Sequence, residues 1–120
     1  MRRKLGTLVP LEIDILHAAV RQAMTDTAEF HGFQLARLLA DADGSRSLTA
    51  HGTLYKALAR LADSGMLAQR WEDPEVALLA GRPRRRLYWI TGLGEGALQR
   101  AIAEALPLRQ SARRLGIEPS

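Results

Sequence analysis

Apolar residues first recur at helical spacing over about residues 8–25, where Leu8, Leu11, Ile15, Leu16 and Ala19 fall on one stripe and Pro10 suits the first turn. The same segment carries a second apolar face, Ile13, Val20 and Met24 with His17 between them. That is more apolar surface than one small core takes up, so part of this helix is expected to pack against a second chain. Thr25-Asp26-Thr27 breaks the pattern. A second helix begins near His31-Gly32, with Phe33, Leu35, Ala36, Leu38, Leu39 and Ala40 along a broad inward stripe that stops at Asp41-Ala42-Asp43-Gly44. Beyond the polar Ser45-Arg46-Ser47, Leu48-Thr49 sets a hydrophobic residue and an N-cap before a third helix from Ala50. Its Leu54, Ala57, Leu58 and Leu61 repeat at i, i+3, i+4 and i+7, and Ser64-Gly65 suits a left-handed C-cap.

The period then drops to two. Met66 to Glu72 and Arg86 to Thr91 alternate and carry aromatic residues, with Pro74, Gly81 and Pro83 between them, which predicts a two-stranded hairpin with a long tip. Thr91 can cap a last helix striped by Leu98, Ala101, Ile102, Ala105 and Leu106, which Pro107 is expected to end or bend, leaving room for one short turn in the basic tail of Arg109, Arg113 and Arg114. Three helices, a ribbon and a terminal helix make a mainly α (α+β) chain in the order of a winged helix-turn-helix with a two-stranded β-wing. It divides into 1–91 and 92–120. The stripe of the terminal helix and the second face of the first helix together exceed what a domain of this size covers alone, which predicts a symmetric dimer through Ile13, His17, Val20, Met24, Leu98, Ala101, Ile102, Ala105 and Leu106.

Length and charge narrow the chemistry. At 120 residues and 47% hydrophobic the chain makes one modest core, and 17 Lys and Arg against 13 Asp and Glu give a net charge of +4, compatible with an anionic partner. Cysteine is absent, which excludes disulfides, thiolate catalysis and Cys-based metal sites; Asn is absent, which excludes N-glycosylation. The apolar run after the basic N-terminus is broken within a few residues by Glu12 and Asp14 and so does not read as a signal peptide, and no stretch is apolar enough to span a membrane. A cytoplasmic location is expected.

On the third helix the inward stripe leaves Gly52, Thr53, Tyr55, Lys56, Ala59 and Arg60 outward or on the flanks, with no acid before Asp63. A helix approaching phosphates needs that arrangement: Gly52 permits close backbone approach, and Thr53, Tyr55 and Lys56 supply hydroxyl and ammonium donors. The bland alternative is a solvated face with an incidental lysine. Arg82, Arg84, Arg85 and Arg86 place four guanidinium groups within six positions from Gly81, with no carboxylate among them. Such forks match phosphates and enter narrow minor grooves, although basic loops also serve as solubilising surface. Arg46 and Thr49, before the third helix, extend the candidate DNA contacts. Gly92-Leu93-Gly94-Glu95-Gly96 follows a ribbon strand and reads as a helix start rather than a nucleotide loop. His17, His31 and His51 are too scattered for a metal site, and Trp71 and Trp89 are candidates for stacking across the ribbon or for offering an aromatic surface to a flat ligand, with packing favoured. No catalytic pattern emerges, and neither an enzyme nor a cofactor is expected.

His31-Gly32-Phe33-Gln34-Leu35, Gly52 to Leu61, Gly65-Met66-Leu67 with Trp71-Glu72, Gly81 to Arg85 and Leu87 to Gly94 together resemble the successive signatures of PadR-type transcriptional regulators, over about residues 8–106. The resemblance implies a homodimeric repressor with first and last helices at the interface, Thr53, Tyr55 and Lys56 as recognition-helix contacts, and Arg82, Arg84 and Arg85 as wing contacts. Ala50-His51 departs from the Ser-Pro pair usual in the family, which brings His51 itself into reach of DNA. The short C-terminal portion is similar to the small subfamily with a single terminal helix and leaves no room for a larger effector domain. The resemblance also suggests a small aromatic or lipophilic effector in an apolar cleft at the dimer interface, where Ala97, Ala101 and Ala105 make room beside Leu98 and Ile102. The sequence thus supports a regulator of double-stranded operator DNA. The alternative is a winged-helix protein-interaction module with weak or non-specific DNA binding.

Overall fold

The computed structural model describes residues 8–42 and 51–114. Its elements run α1 (Pro10–Ala23), α2 (Gly32–Ala42), α3 (His51–Asp63), β1 (Leu67–Trp71), α4 (Pro74–Leu79), β2 (Arg86–Ile90) and α5 (Gly92–Arg114). The fold is the winged helix-turn-helix predicted from the pattern, with one element the pattern did not give: α4, inside the wing.

Ile15, Leu16 and Ala19 of α1, Leu35 of α2 and Leu54, Leu58 and Leu61 of α3 are buried, and with Phe30, Leu67, Tyr88 and Leu98 they form one core. Truncating any of these leucines to alanine removes about 2–5 kcal/mol of packing and transfer energy. Glu12 is buried among them at 1% exposure. Its two oxygens are both used: Oε1 accepts from the Val9 N–H at 3.0 Å, and Oε2 accepts from Arg60 Nη1 at 3.1 Å. One side chain thereby caps α1 and ties it to α3.

Gly65, at φ +78°, ends α3. The Met66 N–H donates to the Leu61 carbonyl at 2.9 Å and the Gly65 N–H to that of Ala62 at 3.0 Å, a Schellman arrangement that turns the chain directly into β1. β1 and β2 pair antiparallel, with Leu67 opposite Ile90 and Trp71 opposite Arg86. Phe30, just before α2, adds a bridge to the far side of β2 by exchanging both backbone hydrogen bonds with Tyr88, at 2.9 and 2.8 Å, and their rings stack at 6.0 Å. A bidentate Arg70–Glu29 pair, 2.6 and 3.0 Å, ties β1 to the segment before Phe30. Thr91 caps α5 as predicted, its Oγ1 accepting from the Gly94 N–H at 3.1 Å.

Three expectations are corrected. Phe33 is not an inward residue of α2: it is 61% exposed, because Leu35 fills the core from that face and Phe33 lies about 200° around the helix from it. Of the two outcomes expected at Pro107, an end to the last helix does not occur: α5 continues to Arg114, having made about four turns before the one missing backbone donor. The two tryptophans do not stack across the ribbon, since the register sets Trp71 opposite Arg86 and Trp89 opposite Ala68.

Candidate nucleic-acid interface

The outward face of α3 holds what its stripe predicts: Gly52, Thr53, Tyr55 and Lys56 are exposed, while Leu54, Ala57 and Leu58 between them are buried. Arg60 is exposed too, but its guanidinium is turned to Glu12 and braces the helix. Arg46 and Thr49 lie outside the described residues, as does the His51 side chain at the start of α3.

The wing arginines occupy three different environments. Arg82 forms a bidentate pair with Glu72, Nη2 donating to Oε2 at 2.9 Å and Nη1 to Oε1 at 2.5 Å. The hydrogen bonds from Arg82 hold the Glu72 carboxyl at a pKa of about 2. Arg84 and Arg86 stack over the Trp71 ring, their guanidinium carbons 5.3 and 4.2 Å from its centroid, and Arg86 also donates to Gln69 Oε1 at 2.9 Å. Stacking on an indole orients a guanidinium without neutralising it. Arg85 reaches toward the helices, with Nη1 3.2 Å from His31 Nε2. The wing therefore keeps its guanidinium groups ordered by spreading them over a carboxylate, an indole and an imidazole.

α4 shapes the tip. Asp73 caps it, Oδ1 accepting from the Glu75 N–H at 2.9 Å, and Pro74 fills its first turn. Gly81, at φ +68°, follows the helix and turns the chain into Arg82.

The arginine strand and the helices meet in one cleft of about 370 Å³, lined by His31, Gly32, Phe33, Tyr55 and residues 82–86. Gly32 lets the Tyr55 ring lie close there: a Cβ would overlap the Tyr55 hydroxyl and come within 2.7 Å of its ring. Burial, then the charges of Arg85 and Arg82, lower the His31 pKa, with Glu72 acting in the opposite sense. Sequence reasoning missed His31 and Phe33 as parts of this cleft, and Glu72 and Trp71 as partners of the wing arginines. For the last two a signal existed, because antiparallel pairing of the ribbon brings Trp71-Glu72 back beside the arginines.

The residues proposed for a dimer face divide. Leu98 is 2% exposed and buried in the chain's own core; Ile13 and Val20 are half-buried against that core; Met24, 82% exposed, and Ile102 are open. His17, Ala101 and Ala105 are intermediate, and the Leu106 side chain lies outside the described residues. Among the described residues no three His, Asp or Glu side chains converge on a possible metal site, and no helix is long and apolar enough to cross a membrane.

The PadR-like family model of transcriptional regulators matches residues 22–100. Solved structures of similar fold include a PadR-like transcription factor from Bacteroides fragilis, 24% identical, with a TM-score of 0.68 and 88% of each chain covered. A transcriptional regulator from Clostridium thermocellum is 17% identical, with a TM-score of 0.67 and 87% of each chain covered. Bacillus subtilis PadR in complex with operator DNA is 18% identical, with a TM-score of 0.60, over 77% of this chain and 46% of that one. No curated protein sequence matches the chain. The family match spans well over half of the 120 residues and includes α2, α3 and the whole wing, so the chain belongs to the PadR-like family of transcriptional regulators.

Proposed function

We propose that the protein is a homodimeric, sequence-specific DNA-binding repressor, with α3 in the major groove and the wing on the flanking backbone. The observation that carries this reading is the shared cleft: Tyr55 of α3 and Arg84, Arg85 and Arg86 of β2 and its approach line one surface, so a duplex seated on the helix lies against the guanidinium groups. Thr53, Tyr55 and Lys56, with His51 at the helix start, are the candidates for base-edge and phosphate contacts; Arg46, Thr49 and Gly52 border them, and the wing arginines, Arg82 included, face the backbone. The solved complex of Bacillus subtilis PadR with operator DNA supports the assignment by its shared fold.

Met24 at the C-cap of α1 and Ile102 on α5, apolar and exposed, support pairing of two chains through these helices, with 1–91 as the DNA-binding part and 92–120 as the dimerisation helix and tail. A two-fold dimer reads a pseudo-palindrome with half-sites about one helical turn apart. An aromatic or lipophilic effector held where α1 and α5 of both chains meet releases DNA to the extent that it prefers the DNA-incompetent dimer. The test is binding to the DNA upstream of the protein's own gene. A retarded complex resisting a large excess of unrelated duplex supports the reading, and equal competition by both duplexes leaves only non-specific binding.

A further inference from the structure

Resting on the DNA-binding reading, we propose that the cleft between α2 and the wing seats a sugar-phosphate unit of the DNA backbone, with His31 as a phosphate-binding residue beside Arg85. The lining suits both halves of such a unit. His31 Nε2 and Arg85 Nη1, 3.2 Å apart, bring two nitrogen groups to one point, while exposed Phe33 and the Tyr55 ring give apolar walls of the kind a deoxyribose packs against. Phe33, in the second position of α2, is 61% open and contributes little to the core. On this account it belongs to the interface.

A proton follows from the same geometry. In the free protein the charges of Arg85 and Arg82 act on His31 from the wing and that of Glu72 opposes them, Arg84, Arg86 and Tyr55 line the same cleft, and in the first turn of α2 the Gln34 N–H donates to His31 Nδ1 at 3.3 Å. Two guanidinium groups and partial burial favour the neutral ring. A phosphate entering the cleft offsets the guanidinium charge and adds an acceptor, so the imidazolium becomes favourable in the complex once the Gln34 N–H bond to Nδ1 is given up. Binding then takes up a proton, and affinity rises as pH falls through the bound-state pKa, levelling off below the free-state pKa. His17 and His51 are present in both the wild type and a His31 variant, so the difference between the two isolates this site.

Fluorescence anisotropy with a mixed-sequence duplex of about 30 base pairs, at constant low ionic strength, tests this directly because a backbone contact needs no operator. From pH 8 to pH 6 the wild type should tighten about three- to tenfold more than His31→Gln, within a limit of roughly one decade per pH unit for one proton. Overlaying pH profiles of two folded, DNA-binding proteins overturn the role of His31 and leave the DNA-binding reading standing. Absence of any duplex binding by the wild type overturns both. Independently of the variant, the His31 ring resonances of the wild type should titrate at higher pH in the complex than in the free protein; an unchanged or lower midpoint overturns the proposal.

Discussion

The ring of Tyr55, on the outer face of α3, lies against Gly32 so closely that a single added methyl group at Gly32 would meet it, with the nearest ring carbon at 2.7 Å. The first turn of α2 thus sets where the recognition-helix tyrosine rests. Gly32→Ala should leave stability within about 1 kcal/mol of wild type, because the gain in helix propensity offsets displacement of a side chain that is 42% exposed. Duplex affinity should nevertheless fall several-fold. Thermal unfolding and anisotropy on the same sample check both halves; a large stability loss would mean that Tyr55 is a packing residue first.

The wing arginines should separate by environment. Arg84→Ala and Arg85→Ala each remove a cation without stranding an anion, so affinity for all duplexes should fall and the salt slope should flatten by about one unit per lost phosphate contact. Arg82→Ala leaves the Glu72 carboxylate unpaired beside the proposed backbone path. Its loss of affinity should be partly restored by Glu72→Gln in the double variant, and simple additivity of the two changes would show that the pair is incidental.

Glu72 also predicts a pH dependence of folding. Its carboxyl is held at about 2 in the folded protein against the ordinary 4.5, so the pair's contribution is complete above about pH 4.5 and is lost as pH falls toward 2. The difference in melting temperature between wild type and Glu72→Gln should therefore be constant from pH 8 to pH 5 and shrink on further acidification. A difference that persists unchanged at pH 2 would place its origin outside the ion pair.

Glu12 should matter for folding and not for DNA. Glu12→Ala removes the acceptor for the Val9 N–H and the partner of Arg60 while opening a small buried space, costing about 1–3 kcal/mol. Chemical denaturation checks the loss, and unchanged duplex affinity in the folded variant is expected.

Much of this architecture is legible in the residues because it depends on period and on special backbone conformations. The Leu54, Ala57, Leu58, Leu61 stripe fixes which side of α3 is outside, Gly65 closes it, and alternation around Trp71 and Trp89 marks the ribbon. What escaped depends on contacts between segments distant in sequence. Glu12 looks like a first-turn surface acid until Arg60 approaches it, and Phe33 looks like core because α2 carries apolar residues around most of its circumference. α4 was readable in principle, since Asp73-Pro74 is a cap followed by a first-turn proline, but a six-residue helix has too few turns to show periodicity. The separate environments of the four wing arginines needed the register, which no local pattern specifies.

The central claim, that α3 and the wing together form the surface that meets DNA, is tested most directly by backbone amide chemical shifts of the protein titrated with its upstream duplex. The account predicts that the largest changes cluster at Gly52 to Lys56 and Arg82 to Arg86, with the amides around Ile102 little affected. Changes centred on α1 and α5, with the recognition face and wing unmoved, would contradict it.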